Sequence, residues 1–263
     1  MSNATTNATT NVITNITTER RGAVQVLRLL RPEKKNALTA EMYRLLTEGL
    51  RAAGAEPAVH AVLLIGAPGV FTAGNDLADF LQHPPEGAES PVFLFLQELV
   101  GFAKPLIAAV EGPAVGIGTT LLLHCDLVVA AEGTRFQLPF VKLGLVPEAA
   151  SSLLLPQLAG LQRASEWLLL GEPFTADEAK AAGLVNRVVP AAELEATALA
   201  LAAAVAALPP EAVRLSKELL RAPQREATRA TIAREGMLFA ERLASDEAQA
   251  AFTSFLARRG RPG

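Results

Sequence analysis

Cysteine is almost missing from this chain. Its 263 residues include one, Cys125, so no disulfide framework exists within it. The three histidines, His60, His83 and His124, match no zinc-binding spacing with that cysteine, and no metal site is expected. Charge of either sign is not in excess: 24 Lys and Arg against 27 Asp and Glu give a net −3, which excludes a basic field for nucleic acid or an anionic membrane. The longest apolar run, Ala196 to Leu208, is Ala-rich and halts at Pro209-Pro210. It falls short of the ~20 residues that span a bilayer. G-x-x-x-x-G-K-[ST], H-E-x-x-H and G-x-S-x-G are all absent, and G-x-G-x-x-G fails because its third glycine would fall on Leu121. A soluble, cytoplasmic globular protein is the expectation that remains, with no nucleic acid, membrane or metal among its partners.

Apolar residues make up 50% of the chain, enough for a substantial core. Residues 1–18 form an Asn/Thr-rich segment with no basic region ahead of an apolar stretch, so it does not read as a secretory signal; a strand is expected around Val12 to Thr18. Val24–Leu30, Val59–Ile65, Leu106–Val110 and Leu127–Ala130 read as strands. They alternate with helices expected from Thr39, a plausible N-cap, to Gly54, over Pro91–Phe102, and from Gly118 through Leu123. This alternation indicates a layered α/β core. Beyond Pro147, helical patterns cover Leu158–Leu170, Thr175–Ala182, Ala191–Leu208, Glu211–Arg221 and Glu226–Arg259, with only Leu184–Val189 extended. The Ala-rich character of these helices suggests subunit contact.

Two loops, Phe71 to Asp76 and Gly112 to Gly118, each follow a short apolar strand and place small residues before a helical start. Backbone N–H groups in such loops can be approached closely, and two of them converging on one carbonyl oxygen form an oxyanion hole. Composition alone leaves this open against plain turns. His124, Cys125 and Asp126, where a helix meets a strand, read as structural.

The stretches RPEKKNAL at 31–38, FTAGNDL at 71–77, KPLIAAVEGPA at 104–114, Cys125-Asp126 and FTADEAKAAGLV at 174–185 together resemble the enoyl-CoA hydratase/isomerase (crotonase) family, in order and spacing, over about residues 20–259. The resemblance implies a crotonase-like ββα superhelix, a spiral core with two near-perpendicular sheets over residues 19–200. It also implies a C-terminal helical trimerisation region over 201–263, in homotrimers or hexamers. Acyl-CoA thioesters are the implied substrates, with coenzyme A part of the substrate and no separate cofactor. Carried over by position, the oxyanion donors match the N–H groups of Ala73 and Ile117. Lys35, Ala37 and Leu38 match the segment at the adenosine end of CoA, Gly74, Asn75, Asp76 and Leu77 complete the first loop, and Gly116 precedes the second donor. Arg258 and Arg259 are candidates for the CoA phosphates, against a plain solvated helix end, and the polar loop from His83 to Ser90 is expected to border the acyl tunnel.

Family hydratases resemble one another in holding water between two glutamates, which would fall here at Thr120 and Phe140. Neither can take a proton. A carboxylate stands instead at Glu148, and the string Pro-Phe-x-x-Leu-Gly-Leu-x-x-Glu at 139–148 is similar to the Δ3,Δ2-enoyl-CoA isomerases of the family, whose acid/base glutamate sits there. One carboxylate suffices to move a proton from C2 to C4 of a 3-enoyl thioester. The resemblance thus implies isomerisation in fatty-acid oxidation. Hydration, with water held by Glu148 alone or by Glu111, and a non-catalytic acyl-CoA-binding role are the alternatives. A helix beginning at Glu148 is the purely structural account of that residue.

Overall fold

The computed structural model describes residues 15–82, 84, 87 and 89–259. Residues 1–14, His83 and the side chains of Arg258 and Arg259 lie outside what it describes, as does the expected start of a strand at Val12. The first strand, β1 (Ile16–Arg21), runs antiparallel to β2 (Val24–Leu29). From β2 the sheet continues in parallel through β3 (Ala61–Ile65), β4 (Leu106–Val110), β6 (Leu127–Ala131) and β9 (Arg187–Val189). A second sheet joins β5 (Pro113–Val115), β7 (Arg135–Gln137) and β8 (Phe174–Thr175).

β3 and β4 are buried along their whole length, as unbroken apolar runs in a parallel sheet covered on both faces must be. Leu27, Val62, Leu64, Ala108 and Val128 face one core with α1 (Ala40–Ala55) and α3 (Pro91–Gly101). Val26, Leu63, Ile107 and Val129 face the other way, onto α8 (Leu194–Ala206). Ala198, Ala202 and Ala206, one turn apart, form the stripe that lets α8 lie close to the sheet. The alanines expected to meet another subunit are therefore filled by the chain's own sheet. α8 also runs across residue 200, where the spiral core and the C-terminal region were expected to part. Thr39 caps α1 as its sequence suggests, its side chain accepting the Met42 N–H.

The C-terminal third is not all helix. β9 falls within Leu184–Val189, the segment expected to be extended. The second sheet agrees with the two sheets that the resemblance implies, although its strands β5, β7 and β8, two or three residues each, are too short to show a period of their own. Trp167 stacks on Phe174 with ring centroids 3.8 Å apart, and Phe174 on Phe136, which ties this sheet to the helices around it. α5 (Ser151–Ala159) and α6 (Leu161–Ser165) precede β8, and α7 (Ala176–Ala181) follows it, opened by a Thr175–Glu178 capping box.

A single helix, α9 (Pro210–Leu243), replaces the two helices expected either side of Pro223; the break falls instead before α10 (Asp246–Arg259). An interior proline removes one hydrogen bond and costs roughly 3 kcal/mol. Pro223 is exposed, and so is Leu219, whose carbonyl it leaves without its helical partner. Lys217 and Arg221 pair with Asp126 just before it, and Arg225 with Glu218 spans it. Thr228, Ile232, Glu235, Phe239 and Leu243 then make the buried stripe. Among the described residues, no single helix is long and apolar enough to cross a membrane.

Candidate active site

Three loops are sewn together at the ends of β2, β3 and β4. Thr72 donates its N–H to the Pro113 carbonyl at 3.0 Å and accepts the Val115 N–H at 3.1 Å, pairing the first glycine loop with β5. The Leu38 N–H donates to Gly74 O, and the Asp76 N–H to Leu38 O, both at 2.8 Å. The Thr72 hydroxyl donates to Asn36 O at 2.6 Å and accepts the Gly74 N–H at 3.1 Å. Gly74 has φ +89°, and a Cβ there would sit 2.8 Å from Val115 O, so only glycine brings the two loops this close.

This stitching decides which amides are available. The Ala73 N–H donates to Lys35 O at 2.9 Å and is not open to a ligand; as an oxyanion donor, Ala73 is a correction. Two residues on, the Asn75 N–H has no acceptor among the described residues, between the bonded amides of Gly74 and Asp76. The side chain of Asn75 is fixed as well, its Oδ1 accepting the hydroxyl of Tyr43, a fully buried residue of α1. Ile117 opens α4 (Ile117–Thr120) with Gly116 as its N-cap, so its N–H precedes the first intrahelical acceptor.

The remaining positions separate into ligand-facing and supporting ones. Leu38 is core, with both backbone groups engaged; it holds the first loop rather than meeting a ligand. Ala37 is buried too, its carbonyl accepting the Arg31 guanidinium, while Lys35 is exposed. Asp76 pairs with Arg31 at 2.7 Å and accepts the Ala78 and Asp79 N–H groups at the start of α2 (Leu77–Gln82). Burial pushes its pKa up, but Arg31 and the two amides outweigh that and hold it below the usual carboxylate range. It is a cap and a brace, with Leu77 as the first helical residue.

Glu148 approaches from the other side. It precedes α5 rather than starting it, and it is 7% exposed. The Thr120 hydroxyl donates to its Oε1 at 3.4 Å. α4 thus carries both the Ile117 amide and the group that steadies the carboxylate, about 4.5 Å apart along the helix axis. Thr120 and Phe140 are buried where the hydratase glutamates would stand. Burial and then the neighbouring charge of Glu235 push the Glu148 pKa up to about 8, against the smaller lowering effect of the hydrogen bond from Thr120. Tyr43 is also pushed well up, by burial and then by Glu148. Beside Glu148 lies a small cavity of about 30 Å³ with walls from Phe80, Phe93, Leu96, Ile232 and Phe239.

Sequence reasoning missed Tyr43, Asn75 as an amide donor, and Glu235. A polar residue inside the apolar stripe of a helix was the available signal for Tyr43 and Glu235. Cys125 and Asp126 are structural as expected: the thiol is buried and pushed up to about 12, mainly by burial, and Asp126 binds Lys217 and the Leu106 N–H.

The family model described as Enoyl-CoA hydratase/isomerase matches residues 19–262. Human (Homo sapiens) enoyl-CoA delta isomerase 2 is 40% identical over 88% of this chain, and the rat (Rattus norvegicus) protein of that name is 37% identical over 90%. The chain spans only 60% and 62% of the length of these two relatives. The solved structure of Pseudomonas aeruginosa OdaA superposes with a TM-score of 0.90 at 47% identity, covering 92% of this chain and 98% of that one. With its ordered motifs, its paired sheets and a model match over nearly its whole length, the chain belongs to the enoyl-CoA hydratase/isomerase family.

Proposed function

We propose that the protein is a Δ3,Δ2-enoyl-CoA isomerase of fatty-acid metabolism. One observation carries this: a buried carboxylate, Glu148, hydrogen-bonded to Thr120 on the helix that also offers the Ile117 amide, with Thr120 and Phe140 at the two positions where a hydratase would carry its glutamates. The resemblance to two proteins named enoyl-CoA delta isomerase supports it.

A 3-enoyl thioester binds with its carbonyl oxygen against the N–H groups of Asn75 and Ile117. The ionised Glu148 removes a proton from C2, which is acidified by the carbonyl and by the C3–C4 double bond. Electrons shift onto the thioester oxygen, where the two amides stabilise the dienolate. The protonated Glu148 then delivers the proton to C4, the double bond settles at C2–C3, and the carboxylate is regenerated. The apolar surroundings that raise its pKa make it a stronger base and let it keep the proton between the two steps. The exposed Lys35 is the proposed contact for the CoA moiety. Leucines left exposed in the monomer, such as Leu161, Leu169, Leu219 and Leu220, support the homotrimer or hexamer expected from the resemblance.

Incubation with a trans-3-enoyl-CoA tests the reaction. Isomerisation yields the 2-enoyl thioester at unchanged mass, and in heavy water any label enters at C4. An unconverted 3-enoyl-CoA, together with a product heavier by one water from the matching 2-enoyl-CoA, would identify a hydratase instead.

A further inference from the structure

The backbone that presents Glu148 is held in an unfavourable shape. Ala149 and Ala150 both have φ +57°, the left-handed region in which a Cβ crowds its own carbonyl. Such a pair persists only where its surroundings over-determine it. Two side chains do so here. From the turn after α4, His124 contacts the Ala149 carbonyl through Nε2 at 2.8 Å. Burial pulls the pKa of His124 down to about 4, and a carbonyl only accepts, so the ring is a neutral imidazole donating its Nε2–H. From α9, Glu235 accepts the Ala150 N–H at 2.6 Å, the Ser152 N–H at 3.0 Å and the Ser152 hydroxyl at 2.5 Å. The Ser151 N–H closes the turn onto the carbonyl of Glu148 itself at 3.0 Å.

Packing gives no reason for a carboxylate at 235. Ile232, Phe239 and Leu243 share its buried face, and a buried charge survives only by hydrogen bonding. All three donors to Glu235 lie within four residues of Glu148. The opposing jaw belongs to the same helix, because Arg221 of α9 donates to the carbonyls of Leu123 and Cys125 on either side of His124.

We propose that Glu235 is a positioning residue for proton transfer by Glu148: through the Ala150 and Ser152 amides, and opposite His124, it fixes the left-handed pair that aims the catalytic carboxylate. This rests on Glu148 being the acid/base. The charge of Glu235 also bears on Glu148 directly. The other polar groups around Glu148 are the neutral Tyr43 of α1 and Thr120 of α4, while α2 and α3 present apolar residues such as Phe80 and Phe93.

The test compares Glu235→Gln, Glu235→Gln combined with Ala150→Gly, and Glu148→Gln in the full-length protein, with kcat, KM, the pH profile and thermal unfolding measured for each. In E235Q, kcat falls about 10–100-fold while KM for the 3-enoyl-CoA is nearly unchanged, the loss expected of a misaimed group. Its activity limb moves to lower pH, because a negative neighbour of Glu148 is gone. Adding Ala150→Gly restores part of kcat, since glycine enters the left-handed region without a Cβ clash. If E235Q does not fold, E235D, which keeps the charge on a shorter arm, shows the same kcat loss in smaller measure and the same recovery with Ala150→Gly. Wild-type kcat per folded molecule together with a lower Tm makes Glu235 a helix cap only and overturns the proposal, as does the absence of any recovery in the double variant. An inactive E148Q beside such an E235Q leaves the role of Glu148 standing; an active E148Q overturns both.

Discussion

The hydroxyl of Thr120 donates to Oε1 of Glu148 across 3.4 Å, and both side chains are buried. This contact joins the helix that carries the Ile117 amide to the residue proposed to move the proton. It favours the ionised carboxylate and so opposes the burial that raises its pKa. Thr120→Val keeps the shape and deletes the donor. Its kcat/KM falls at neutral pH and recovers as the pH is raised, because the Glu148 pKa moves further up; a profile superimposable on that of the wild type would deny the contact any role.

The pH dependence has a definite sign. In the proposed mechanism the active form is the carboxylate, so kcat/KM is expected to rise as pH climbs through about 8, the value to which burial and Glu235 push Glu148. Stability runs the other way. Between the ordinary value of 4.5 and about 8 the folded state binds a proton that the unfolded chain has released, so stability declines as pH rises. Glu148→Gln removes this penalty. Its Tm exceeds that of the wild type at pH 8.5, and the gain shrinks towards pH 4, as differential scanning calorimetry would show.

Proline is tolerated at the first position of a helix, which makes Ile117→Pro a probe of one amide. It deletes the proposed oxyanion donor and lowers kcat by ~10²–10³. Ile117→Val retains the amide and most of kcat, and separates loss of the donor from loss of side-chain volume. Equal turnover in the two variants would remove Ile117 from the hole.

Gly236 of α9 lies under Phe93, where a Cβ would come within 2.1 Å of the ring. Gly236→Ala drives that ring towards the cavity beside Glu148. Longer acyl-CoA substrates lose kcat/KM more than short ones, read from a chain-length series; a uniform loss would place the acyl path elsewhere.

Much of this architecture was legible in the residues. The alternating strands and helices as far as β6, the Thr39 cap, both glycine loops and Glu148 follow from local pattern and motif. Ala73 was misassigned because a run of small residues does not say which amide a loop leaves free; the bond from Ala73 N–H to Lys35 O depends on a segment folded back from before α1. Glu235 was invisible for a related reason, since it meets Ala150 across 85 residues of chain. Pro223 misled because helix-breaking is a local preference that the ion pairs of Lys217, Arg221 and Arg225 override.

Turnover of a 3-enoyl-CoA by Glu148→Gln, measured alongside its affinity for a non-reactive acyl-CoA, bears most directly on the proton-shuttle mechanism. The side chain keeps its shape but cannot hold the transferred proton, so isomerisation is expected to disappear while acyl-CoA binding persists. Wild-type turnover by this variant would contradict the mechanism.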